Sequence, residues 1–301
     1  MRIAILHQRL EWAEIEIQRL LTQQCHQVVL LPIESTNIDR LQQFEIVINR
    51  IYASVANSDY RDNLKTLHLL EEAERSGIRT INPLTTTRAD YSKAFNYRLM
   101  VEHGVPTPET LTLQSPTDTE SALRFAEGDY PVVLKRDMGG RAIDVELMTN
   151  PTVLHSRLLS HFENDNRATY GGDYILQRYH ENLRNFDYRI AIIEGRFAYA
   201  YSRSLISNSA AERPWIGSLS RGSQRGDYTP SKVEIELAIR ASNAIGATLN
   251  EVDMIYTEQG PIVIENNPTP TYFENADEQK LAYSIERLAT GLNLSSADHV
   301  Q

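Results

Sequence analysis

Cysteine is nearly absent from this chain: Cys25 is the single one in 301 residues. That excludes an internal disulfide framework and fits a reducing, cytoplasmic setting. Long apolar runs are missing too. No stretch approaches the roughly 20 residues that span a bilayer. Met1–His7 has too short an apolar part for a signal peptide and reads as a first strand. Basic charge is in deficit, with 30 Lys and Arg against 40 Asp and Glu and a formal net charge of −10. So acidic a chain lacks the footprint that nucleic acid requires, and neither a nucleic-acid nor a membrane partner is expected. A local basic pocket for an anionic small molecule stays compatible with that charge. Internal repeats and low-complexity segments are also absent. What is present is an ordinary globular composition, 41% hydrophobic and 23% charged, in a chain long enough for two or three packed lobes.

The N-terminal part alternates strand and helix. Strands are expected at Arg2–Leu6, Val28–Leu31, Glu45–Asn49 and Arg79–Ile81, and helices over Glu11–Gln24 and Asp59–Ser76. That alternation implies a parallel sheet with both faces covered, over residues 1–86. A dinucleotide fold would need G-x-G-x-x-G after the first strand, where the chain has His7-Gln8-Arg9-Leu10-Glu11-Trp12. A helix over Ala89–His103 and the extended Val105–Pro108 mark a boundary, and residues 87–175 follow as a second lobe. In it a helix is expected from Ser115 to about Glu127, a strand over Tyr130–Arg136, a turn at Gly139-Gly140, a strand over Ala142–Met148 and a helix from Asn150-Pro151. The polar Glu163–Asp173, with Gly171-Gly172, reads as a loop.

From Tyr174 the chain becomes richer in strands, and residues 176–301 form its last division. Tyr174–Tyr179 is a strand, and Phe186–Ile193 and Arg196–Arg203 form a hairpin. Ser204–Thr229 has little periodicity, a length that in a compact domain usually serves function or stays disordered. A helix over Lys232–Ile245, a second hairpin and a helix over Asp277–Leu288 follow, and the last dozen residues are expected to fray.

The second hairpin holds the densest chemistry. Val252–Ile255 and Pro261–Ile264 flank a short turn with Gly260. A turn centred on Gln259 sets Asp253 opposite Glu265, with Asn267 on the same face. Facing carboxylates repel unless a cation lies between them, and an all-oxygen set suits Mg²⁺ or Mn²⁺. An exposed hairpin edge would place the same acids together without a metal. Lys135 ends a strand just ahead of Gly139-Gly140, as a phosphate-covering turn requires and as many surface lysines also do. Asp187 and Arg189 share a strand face, and Arg203 ends the partner strand, a pattern equally met by a cross-strand ion pair. Arg213, Arg221 and Arg225 in the long loop offer bidentate capture of carboxylate or phosphate.

Taken in order, FEIVINRI (44–51), RADYSK (88–93), HGVPTPET (103–110), YPVVLK (130–135), LQRY (176–179), NFDYRIAIIEG (185–195), SLSRG (218–222) and VDMIYTEQGPIVIENNP (252–268) carry a resemblance. The chain resembles the ATP-grasp superfamily, and within it the ribosomal protein S6 modification enzyme (RimK) family of carboxylate–amine ligases, over nearly its whole length. The resemblance implies an α/β (α+β) ATP-grasp fold: an N-terminal parallel α/β domain, then two α+β lobes clamping the nucleotide. It implies that ATP and two Mg²⁺ are bound, with Asp253, Glu265 and Asn267 as metal ligands. Lys93 and Lys135 match lysines on the ATP phosphates, with Gly139-Gly140 as the flap; Gln177, Arg178 and Tyr179 match the adenine linker, and Asp187 a nucleotide-site acid. Arg203 matches an arginine near the γ-phosphate and the reacting carboxylate, and Arg221 one lining the acceptor side.

The implied reaction phosphorylates a carboxylate and lets an amine displace the phosphate, on amino-acid, peptide or small-metabolite substrates. Family members are often dimers or tetramers, and nothing in the sequence marks an interface. Departures cluster in the substrate half: Arg178 replaces a linker acid, Ser220 and Ser223 replace a histidine and a glycine, and Thr269–Tyr272 replaces a Ser-Pro-Gly turn. Glutamate specificity is therefore not implied. Ring closure in a natural-product peptide and a non-enzymatic nucleotide-binding module are the alternatives.

Overall fold

A computed structural model describes residues 1–53, 60–164, 174–207 and 213–297. Its N-terminal unit is the expected parallel sheet, in the order β2(Gln27–Pro32), β1(Arg2–His7), β3(Ile46–Asn49), β4(Arg79–Ile81). Buried Ile3 and Ile5 face one side, with α1(Trp12–Gln23) and the C-terminal α9(Glu278–Ala297); Ala4 and Leu6 face the other, with α3(Tyr60–Arg75). Alternate residues of one strand thus feed two cores, the arrangement a sheet covered on both faces demands. The short α2(Ile38–Leu41) was not expected; Asn37 caps it by accepting from Arg40 N at 3.0 Å.

A second, antiparallel sheet has the order β5(Thr110–Leu113), β8(Tyr174–Arg178), β6(Val132–Arg136), β7(Val145–Met148), with α6(Thr119–Ala126) and α7(Pro151–Asn164) sharing its core. β5 was not expected; it begins just after the extended Val105–Pro108 link. The third sheet runs β11(Arg225–Asp227), β10(Arg196–Ser204), β9(Phe186–Ile193), β12(Leu249–Thr257), β13(Gly260–Asn267), packed on α8(Lys232–Ala244).

Several expectations are corrected. The single helix over Ala89–His103 is two, α4(Leu84–Tyr91) and α5(Lys93–Glu102). Ser92 is extended between them and caps α5 by accepting from Phe95 N at 3.1 Å, while Asp137 takes hydrogen bonds from Ser92 Oγ and Ala94 N. The strand expected over Ala142–Met148 begins only at Val145, because Arg141, Ala142 and Asp144 take left-handed backbone angles in the turn. The segment 204–229 is not structureless: β11 pairs with β10, Leu219–Arg221 is a 3₁₀ turn, and Ile206 bridges to Ile216. The last helix continues to Ala297. The expected loop glycines Gly171-Gly172 and the final four residues lie outside the described residues. No described helix is long and apolar enough to cross a membrane.

Candidate active site

One cavity of about 660 Å³ opens between the second and third sheets, with Tyr52 and Asp90 at its N-terminal wall. Asp253, Glu265 and Asn267 all line it, and the register sets Asp253 directly opposite Glu265. The turn that brings them together differs from the expected one. Thr257 pairs with Gly260, so the loop is the two-residue Glu258-Gln259, and a bulge between Asp253 and Met254 shifts the register by one. A tighter turn and a compensating bulge give the same facing pair. Tyr97 on α5 ties this helix to β13: its Oη donates to Ile264 O.

Two lysines converge on these acids. The Ser92 break puts Lys93 at the first helical position of α5, where its Nζ donates to Gly139 O at 2.6 Å and lies 3.4 Å from Glu265. Lys135 comes from β6, buried, and donates to Tyr97 Oη at 3.0 Å. Burial lowers its pKa to about 8, although Glu265 and Asp253 pull the other way. Gly139 and Gly140 line the cavity above them, and their turn rests on the 218–221 segment: Ser218 Oγ donates to Arg141 O and Arg221 Nη1 to Ala142 O, both at 3.4 Å.

Asp253 is also the centre of an arginine cluster. Arg189 Nη2 and Arg203 Nη2 each donate to its Oδ2 at 2.9 Å. Arg203 holds Asp187 through two bonds of 2.8 Å. Burial opposes ionisation of Asp253, but the two guanidiniums outweigh it and hold the carboxyl below its usual range. Two facing carboxylates and an amide oxygen on one cavity wall fit a hard cation such as Mg²⁺. Among the described residues no cluster of three or more His, Cys, Asp or Glu could hold a metal ion.

The linker residues lie along one wall. Gln177 donates to Thr110 Oγ1 at 2.8 Å, and Tyr179 meets Trp215 edge-on at 6.3 Å. The Arg178 side chain is taken up by Asp129 at 3.0 Å, Glu109 at 3.4 Å and the Phe125 face. Arg221 is the one expected site residue not brought to the cavity; it is exposed, against the outside of the flap, and Arg225 lines the wall instead. Arg225 is held by Asp277 and lies over Tyr201 at 4.7 Å.

Residues not expected from sequence are Asp90, Tyr97 and Glu251. Asp90 and Tyr97 had a signal, since they stand one helical turn either side of Lys93. Burial pushes the Asp90 pKa up to about 7, with a Thr269 hydrogen bond restraining it. Glu251 had a weaker signal, an acid at i−2 from Asp253 on the same strand face.

A family model for the RimK-like ATP-grasp domain matches residues 90–286. A probable alpha-L-glutamate ligase of Xanthomonas euvesicatoria pv. vesicatoria (strain 85-10) is 26% identical over 227 residues, 75% of this chain and 70% of that protein. Among solved structures, a RimK domain ATP-grasp protein from Sphaerobacter thermophilus DSM 20745 superposes with a TM-score of 0.69 at 16% identity, covering 96% of this chain and 98% of the other. D-alanine–D-alanine ligase from Bacillus anthracis does so with a TM-score of 0.64 at 14% identity, covering 100% of both. The chain belongs to the RimK-like ATP-grasp family and is an enzyme of the ATP-grasp ligase class.

Proposed function

We propose that this enzyme joins a carboxylate to an amine at the expense of ATP, through an acyl phosphate, with an amino acid as one partner and a peptide, protein tail or small metabolite as the other. The observation that supports it most is the convergence of Lys93, Lys135, Arg203 and the facing Asp253 and Glu265 on one cavity. We divide the chain into 1–86, 87–175 and 176–301, with the nucleotide between the second and third; the three sheets support this except that β8, which pairs in the second sheet, crosses the last boundary.

In this reading Gln177–Tyr179 hold the adenine along the linker backbone, and Lys93 and Lys135 neutralise the phosphates under the Gly139-Gly140 turn. Bound at Asp253, Glu265 and Asn267, Mg²⁺ supplies further neutralisation. Arg203 faces the γ-phosphate and the reacting carboxylate, stabilising charge as the phosphoryl group transfers to a carboxylate oxygen. The amine then attacks the acyl carbon and phosphate leaves. Lids formed by the flap and the 218–221 segment keep water from that mixed anhydride. Arg225 takes the acceptor-side position expected of Arg221, and Asp90 and Tyr52 form the opposite wall.

The test is ATP-dependent phosphate release with L-glutamate and other amino acids, alone and with hydroxylamine to trap the acyl phosphate as a hydroxamate, products being read by mass. Hydroxamate formation supports the reading. Nucleotide binding without phosphate release under every pairing would overturn it.

A further inference from the structure

Glu251 is buried two residues before Asp253 and has no part in the steps above. It ends a row of alternating charges on one face of the third sheet: Glu251, Arg189, Asp253, Arg203, Asp187. Arg189 Nη1 donates to Glu251 at 2.9 Å while its Nε and Nη2 reach Asp253. Arg203 is shared in the same way between Asp253 and Asp187. Each arginine therefore has one acid in common, Asp253, and one of its own. Tyr199 and Tyr201 hydroxyls donate to Glu251 at 2.8 and 3.2 Å and fix its orientation.

A buried carboxylate clamped by two guanidiniums can turn to a divalent cation only if those guanidiniums keep a counter-charge, since an unpaired buried charge is strongly unfavourable. Asp187 does this for Arg203. We propose that Glu251 is a positioning residue for the metal site: the reserve counter-ion of Arg189, which lets Asp253 leave the arginine for Mg²⁺ without stranding it. The inference rests on the reading of Asp253 as a metal ligand. Charge arithmetic gives its direction. With Glu251 the row has three acids and two arginines; with glutamine in its place Arg189 is left with Asp253 alone while Arg203 keeps Asp187, and the cation must compete with Arg189 for Asp253.

Mn²⁺ binding to the full chain with ADP, followed by electron paramagnetic resonance, tests this apart from turnover. Glu251→Gln is expected to weaken Mn²⁺ at least tenfold, with ADP affinity in EDTA unchanged. Glu251→Asp, which keeps the charge at shorter reach, is expected to lose less, and serves alone if the glutamine variant does not fold. Unchanged Mn²⁺ affinity in both variants overturns the proposal. An equal loss of metal-free ADP affinity overturns it too, since that is what mere structural damage gives. A wild-type chain that binds no Mn²⁺ overturns the metal-site reading and this inference together, whereas wild-type binding insensitive to Glu251 overturns this inference alone.

Discussion

Single residues set the electrostatics of the cleft, and their replacement separates charge from shape. Asp253→Asn or Glu265→Gln keeps volume and removes one of the two facing acids. Turnover is expected to fall at least a hundredfold with an unchanged circular dichroism spectrum, and full activity in either would remove the metal assignment. Gly217 is small for a local reason: a Cβ there would lie 2.0 Å from Asp187 Oδ2. Asp187 is pinned by Arg203 and cannot step aside without breaking that pair. Gly217→Ala should therefore weaken nucleotide binding tenfold or more, measured by calorimetry. Lys135 carries a pH signature. Its pKa near 8, lowered by burial, means that the ammonium is lost as pH rises through that value. Phosphates favour the protonated form, so ADP affinity in EDTA should decline above about pH 8, and Lys135→Met should flatten the decline.

At the scale of elements, the break between α4 and α5 and the bulge in the β12–β13 hairpin are the two irregularities that build the site. Ser92 ends one helix and caps the next, and a lost cap costs about 1 kcal/mol. Ser92→Ala is expected to loosen Lys93 and raise the KM for ATP more than it changes kcat. A different element pair governs acid stability. Glu146 on β7 takes two hydrogen bonds of 2.7 Å from Arg157 on α7, and His161 lies 3.2 Å away. Burial works against the Glu146 charge, but His161 and Arg157 outweigh it and bring its pKa to about 2. A carboxylate with a lowered folded pKa stabilises above its unfolded value and loses that contribution as pH falls. Thermal stability should therefore decline between about pH 4.5 and 2, less so in Glu146→Gln.

At the scale of the whole molecule, the N-terminal sheet is locked to the third sheet by Asn82. Its Nδ2 donates to Leu249 O at 2.8 Å and Pro268 O at 2.6 Å, and its Oδ1 accepts from Thr248 and Leu249 N at 2.8 and 2.9 Å. Arg50 adds a bond to Pro270 O at 2.9 Å. Asn82→Ala strands several buried backbone groups and should destabilise the chain by about 2 kcal/mol or more, read as a fall in melting temperature.

Periodicity and turn chemistry in the sequence determined the parallel N-terminal sheet and the two hairpins, because strand alternation and a tight glycine turn are local properties; the facing of Asp253 and Glu265 needed the β12 bulge as well. The motif order determined the family. Only the tertiary structure decided that Ser92 splits a helix, that Arg225 rather than Arg221 reaches the cavity, and that Arg189 is shared between Asp253 and Glu251. Those outcomes depend on Asp137, on β10–β11 pairing and on neighbours more than 40 residues away in the chain, as Ser92–Asp137 at 45 and Arg189–Glu251 at 62 show. Local sequence carries no record of such partners, since they are chosen by which faces the folded sheets bring together.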